Sequence, residues 1–489
     1  SDTCAQIALP AILIRLLDAV IRRGELSKNE HSQLCQLRST LCERFVLSFK
    51  ALDESDPLQT KYCLFFSLAL SMLARDYRTG IAGTRDLIKC AGYAQQCING
   101  EKKLNIPKAD GYLQVALCLN ARMEDMLNVT DTKMNGTLPF SSQLADAVRE
   151  AVRDYHEGSM YKRDEAVRTF RRNLFPRWKP SLGNVLACCD IFQIILEAAY
   201  EKYVSAANQN NQNYQEIARL GYVSKAYLVL AAIGTSGGAL NLLAQMLINQ
   251  ANQYEADQRI SFFRRHPDID TFVQQHAAPY GWPLNDNYAL AYRVLQSVCG
   301  IQRGSQPYSH MKKAELVLKG YVSESSSTQL TSLNIAINGG LAMGHYWKGR
   351  LLLEQAKQDH DRCNDYKDAA IASFCATNVT ERFDHLPENA DEDAAPQLSP
   401  PQWLSAIELL RYPDRAVFRV DRRMVFQTIY QKLTQQVEEV QSDNIQIHNE
   451  RYRLTKKDVR SNLERCLDMV KAQFPDKEPL IQKMIRSIR

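Results

Sequence analysis

No two of the 13 cysteines are separated by the two-residue gap of redox dithiols and zinc knuckles. His-Glu-x-x-His, the Walker phosphate loop and the dinucleotide-binding glycine fingerprint are absent too, so no recognisable metalloprotease, nucleotide-hydrolysing or nicotinamide-binding motif occurs. Charge of one sign is not in excess: 60 Lys and Arg against 55 Asp and Glu leave +5, too little over 489 residues to argue for nucleic acid or anionic membrane. Any basic site must be local. Strand signals are nearly missing. Ser1 rather than Met stands first, which leaves a removed targeting segment open; what remains reads without a signal peptide, and Ile7 to Ile21, interrupted by Arg15 and Asp18, is read as an amphipathic first helix.

What is present is ordinary for a soluble globular protein. Hydrophobic residues make up 45% and charged residues 24%, which excludes global disorder, collagen-like sequence and a polytopic membrane protein. At about 150 residues per domain the length allows roughly three domains or one extended array. Cys35, Cys42 and Cys63 are spaced by multiples of seven, and Cys90, Cys97 and Cys118 repeat that spacing, so these thiols are expected on buried helix faces. A reducing, cytoplasmic compartment fits such usage. Sequons at Asn128, Asn135 and Asn378 occur at chance frequency. No charged residue lies between Lys225 and Glu255, and Ala226 to Ile248 would be long enough to span a bilayer. Its centre, Gly234 to Gly238, reads instead as a turn between buried helices, so no transmembrane segment is expected.

Helical signals run from end to end. Ser27 to Glu30 has the form of a capping box, with Leu34, Leu37, Leu41 and Phe45 on one stripe after it. Asp56-Pro57 opens a third helix carrying Tyr62, Phe65, Ala69 and Leu73 on one face and ending near Gly80. Thr84 is placed to cap the fourth. Further helices are expected near 109–128, 142–156, 160–174, 182–207, 215–233 and 238–254, joined by short links that favour antiparallel hairpins. A loop is read at 130–141. A linker is read at 386–402, where Pro387, Pro396, Pro400 and Pro401 accompany an acidic run. The expected fold is therefore all-α: an N-terminal helical block over 1–129, an α-solenoid-like array of helical hairpins over 142–385, the linker, and a small C-terminal helical unit over 403–489.

Self-similarity adds detail. Lys225-Ala226 through Ala231-Ala232 to Gly234, followed by Ala239 and Ala244, has a second version in Leu333 through Ala336 to Gly339-Gly340, Tyr346-Trp347, Gly349 and Asp365 to Ala376. These segments, within about 215–380, resemble a degenerate Sel1-like or tetratricopeptide-type array. The resemblance implies a curved surface for a protein or peptide partner. Proteins of that kind serve as adaptors in bacterial regulation, secretion and host interaction, so it extends to a host-directed effector translocated into a host cell.

Sharper chemistry has a few candidates. Gly234-Thr-Ser236-Gly-Gly238 matches Gly-x-Ser-x-Gly and resembles the nucleophile turn of patatin-like lipases, making Ser236 the catalytic alternative. The Asp-Gly and Gly-Gly partners of such a site stand in the wrong order, which leaves Ser236 as a hairpin-turn residue. His360, Cys363, Cys375 and His385 are the densest group of metal-ligand types, but their spacing is too open for a structural zinc site, so neither metal nor cofactor is expected. The most concentrated basic stretch, 162–179, interleaves Arg171, Arg172, Arg177 and Lys179 with Trp178 and is the candidate site for an anionic ligand such as RNA or a phosphoinositide. A second group, Arg411, Arg415, Arg419, Arg422 and Arg423, is punctuated by Asp414 and Asp421. The function expected is an interaction scaffold, with an enzyme on a helical frame and a polyanion binder as alternatives.

Overall fold

The computed structural model describes residues 2–23, 28–81, 83–103, 110–128, 208–233, 237–253, 286–299, 307–384, 398–412, 417–441 and 456–488, with Pro396 and Asp414. Among these the regular structure is helical and no strand occurs. The first seven helices are α1 (Asp2–Arg23), α2 (Lys28–Lys50), α3 (Pro57–Thr79), α4 (Leu87–Lys103), α5 (Asp110–Asn128), α6 (Gln212–Ile233) and α7 (Gly237–Gln253). The next six are α8 (Asn287–Cys299), α9 (Pro307–Leu318), α10 (Ser326–Asn338), α11 (Ala342–Gln358), α12 (Cys363–Cys375) and α13 (Val379–Asp384). Then come α14 (Pro400–Leu410), α15 (Arg422–Gln441), α16 (Lys456–Gln473), a 3-10 turn at Pro475–Lys477, and α17 (Glu478–Ser487). Helices pack mainly on their neighbours in sequence order.

Two compact units result, Ser1–Ser309 and His310–Arg489. The sequence places its breaks at 130–141, which lies outside the described residues, and at 386–402. Residues beyond 403 belong with the second unit because Trp403 to Leu410 are buried against α11, α12, α15 and α16. The helix also starts at Pro400, inside the stretch read as linker. Its start is fixed by Ser399, whose backbone N–H donates to Gln402 Oε1 at 2.9 Å, and by two prolines that need no backbone partner in a first turn.

In the first unit α3 follows its signals closely. Asp56 Oδ1 accepts from Leu58 N at 2.8 Å, Pro57 sits at the first helical position, and Gly80 closes the helix at φ 69°. Phe65, Ala69 and Leu73 are buried with Ile7, Ile14, Phe45 and Phe49 in one core. Two expectations need correction. Asp86, not Thr84, caps α4: its Oδ1 accepts from Ile88 N at 3.0 Å and Lys89 N at 2.9 Å, and Thr84 lies too far ahead of Leu87 to reach them. The buried stripe of α2 runs through Cys35, Arg38, Cys42, Phe45 and Phe49, while Leu37 is exposed. The stripe is turned because Arg38 occupies a core-facing position. Its Nη1 donates to Asp18 at 2.8 Å and its Nη2 to Asp76 at 2.7 Å, with Ser39 Oγ donating to Asp76 at 2.7 Å.

Five of the six heptad-spaced cysteines are buried, with Cys63 partly so. The uncharged stretch 226–248 is divided between α6 and α7, and Ala239 and Ala244 are fully buried on α7. The Gly234–Ser236 turn, including Ser236, lies outside the described residues, as do the helices expected at 142–156, 160–174 and 182–207. In the second unit Gly340 adopts φ 83° between α10 and α11, and Ala336 and Ala370 are fully buried. α1 departs most from its reading. Ile7, Ala11 and Ile14 face inward, yet the outward face carries exposed Leu9, Ile12, Leu13, Leu16 and Val20, so the helix is apolar on both sides.

Candidate functional site: an arginine cluster around Glu408

Ten of the eleven residues of α14 are buried, and all but Glu408 are uncharged. A helix apolar all round belongs inside, and an ionised carboxylate there must be paired. Glu408 is 0% exposed and is met by three guanidiniums from three elements. Arg411, at the C-terminal end of α14, places Nη1 3.0 Å from Oε2. Arg465, from α16, donates to Oε1 at 3.1 Å, and Arg350, from α11, comes within 3.7 Å of the same oxygen. Tyr346, one turn before Arg350, offers its hydroxyl oxygen to both Arg350 and Arg465 at 3.2 Å. Arg465 also donates to Asn462.

The electrostatics follow from this placement. Burial works against the Arg350 charge, but Tyr346, Glu408 and Glu354 outweigh it and hold its pKa above the ordinary arginine value. Burial pushes the Tyr346 hydroxyl well up, so it stays protonated. Three guanidiniums thus share one buried carboxylate, a local surplus of two positive charges. The hydrogen bonds to Glu408 and Tyr346 engage the Nη1 edge of Arg350 and of Arg411. A guanidinium has five donors in a planar fork, so one such bond leaves the other edge suited to a second carboxylate or phosphate. Arg411 is the most accessible, at 37% exposure.

A second ionic group lies in the same unit. Lys312 and Lys319 both reach Glu315 at 2.9 Å, and Lys319 also reaches Asp458 at 2.7 Å, joining its segment to α16. Burial alone would raise the Glu315 carboxyl, but the two lysines hold its pKa down to about 2. Here the opposite charges balance, and the group ties helices together.

Among the described residues, the groups of nucleophile and metal-ligand type are arranged as follows. His31 Nδ1 lies 3.8 Å from Cys35 Sγ, the closest approach to a cysteine–histidine pair among the described hydrogen bonds. Burial raises the thiol and lowers the imidazole, opposite to the thiolate–imidazolium balance that activates such pairs. Cys363 and Cys375 stand at the two ends of α12, about 18 Å apart at 1.5 Å per residue, and cannot share one ion. His385 lies outside the described residues. So do Arg171, Arg172, Arg177, Trp178 and Lys179, the basic stretch proposed from sequence. Arg411 stood in the second basic group, but Arg350 and Arg465 come from positions 61 and 54 residues away on other helices, and only folding brings them to Glu408.

No protein-family model, curated protein or solved structure matches the chain, and nothing in these comparisons identifies a Sel1-like or tetratricopeptide family.

Proposed function

We propose that this chain is a helical recognition scaffold, and that the second unit receives an acidic segment of a protein partner at Arg350, Arg411 and Arg465. The observation that carries the reading is the sharing of one buried carboxylate by three guanidiniums, two of them engaged at Glu408 and Tyr346 through a single nitrogen. Glu408 and Tyr346 act as the floor: they fix the forks by hydrogen bonding, so a ligand carboxylate meets donors whose orientation is already set. The successive helices, with small residues such as Ala336, Gly349 and Ala370 at their crossings, support an array of hairpins as the frame. A host-directed adaptor of the Sel1-like kind is compatible with that frame. The test is fluorescence anisotropy of the full chain with a labelled glutamate-rich peptide of about ten residues and with a lysine-rich peptide of equal length. Selective binding of the acidic peptide, weakening with salt, supports the reading. Equal affinity for both peptides overturns it. Tighter binding to a short RNA than to the acidic peptide would favour the polyanion alternative.

A further inference from the structure

The outward face of α1 has no polar residue along its middle. Leu9, Ile12 and Leu16 are 57%, 56% and 58% exposed, with Leu13 and Val20 beside them. At 100° per residue these five lie within an arc of about 100°, opposite Ile7, Ala11, Ile14 and Asp18. Cys4 to Ile21 is apolar enough to cross a membrane, yet only 22% of it is buried, so the usual explanation for an apolar helix, a place inside the core, does not apply. The exposed side chains amount to roughly 400–500 Å² of apolar surface, the size of the largest patch on a typical monomer, which is often functional.

We infer that this face docks on a lipid surface, with α1 lying along the membrane interface and its inner side still packed on the protein. Three observations select that occupant. First, the exposed residues of α1 between Cys4 and Val20 include no carboxylate; Arg15 is the one charge among them, Arg22 and Arg23 follow in the sequence, and the sole acidic residue of that stretch, Asp18, is turned inward. An apolar strip with no carboxylate beside it and the cation of Arg15, set over the Phe65 ring, at its flank matches acyl chains beneath anionic headgroups. Second, the strip alone offers a second copy less than the about 800 Å² per partner of a standard interface. Third, α1 is long enough to cross a bilayer, but crossing would strip Ile7 and Ile14 from the core and take Asp18 away from Arg38, to which it is bonded at 2.8 Å. Lying on the surface keeps every one of these contacts.

The experiment is co-sedimentation of the full chain with vesicles of phosphatidylcholine and phosphatidylserine at 7:3, and with phosphatidylcholine alone. The unaltered protein is expected to pellet with the mixed vesicles, and the triple change Leu9→Ser, Ile12→Ser, Leu16→Ser to weaken binding at least tenfold while leaving the far-ultraviolet spectrum and melting midpoint nearly unchanged. Arg15→Glu, which leaves the apolar strip intact, is expected to weaken binding to the mixed vesicles only. Should the triple variant unfold, the single change Leu16→Ser reads the same loss on a smaller scale. Failure of the unaltered protein to pellet, full binding by the triple variant, or a lipid-free dimer that the triple change dissociates would each overturn the inference. The acidic-peptide reading concerns the other unit and none of these side chains, so the two stand or fall separately.

Discussion

The ring of Phe374 occupies the space a side chain at Gly349 would need: a Cβ built on Gly349 would come 2.5 Å from Cε1 of a ring that is fully buried. The crossing of α11 and α12 is therefore set by the absence of one carbon. Gly349→Ala should cost about 1–3 kcal/mol, because a core ring must move and its neighbours with it. Gly92, in α4, has nothing within 4 Å of its would-be Cβ, so Gly92→Ala should leave stability unchanged or raise it by up to about 1 kcal/mol. Urea denaturation of the two variants checks the contrast; similar effects would mean that the crossing is not what restricts Gly349.

Arg38 is the second point of commitment. It is 2% exposed and holds Asp18 and Asp76 from two other helices. Arg38→Met keeps the length and apolar stem of the side chain but takes the central guanidinium from two buried carboxylates, leaving Arg75 3.9 Å from Asp18 and 3.3 Å from Asp76. A loss of about 3–5 kcal/mol is expected in denaturant unfolding, the range found when one member of a buried ionic group is removed. A loss under about 1 kcal/mol would show that water reaches these carboxylates.

Such a pair also marks what the sequence could and could not disclose. Helix ends were legible where one residue did the capping, as at Asp56-Pro57 and Gly80, and small buried residues such as Ala239, Ala244 and Ala336 were legible from their repetition. Arg38 in a core-facing position was not, because its partners lie 20 and 38 residues away and periodicity treats arginine as a surface residue. The same limit hid the Glu408 cluster, assembled from three helices. The outer face of α1 was hidden for a different reason: an apolar helix reads the same whether one side or both are covered, and only the fold shows that Leu9, Ile12 and Leu16 stay exposed among the described residues.

Acid sensitivity should be traceable to Glu315. Its folded-state pKa, about 2, lies below the ordinary value of 4.5, so its contribution is complete above about pH 4.5 and is lost as pH falls toward 2. Glu315→Gln should accordingly be less stable than the unaltered chain at pH 6, on the order of 2–3 kcal/mol, with the gap closing between pH 4.5 and 2. Denaturation midpoints across that range check it. A gap independent of pH would assign the loss to packing instead.

The most direct test of the recognition reading is the affinity of the full chain for a glutamate-rich peptide before and after Arg411→Ala and Arg350→Ala. Arg465, which also spans to Asn462 and Tyr346, is left in place to keep Glu408 paired at 3.1 Å. The account predicts at least a tenfold loss for each change, a shallower salt dependence as each cation is removed, and a melting midpoint close to that of the unaltered protein for Arg411→Ala. Unchanged affinity and salt dependence in both folded variants would contradict it and leave the three arginines as a device for burying Glu408.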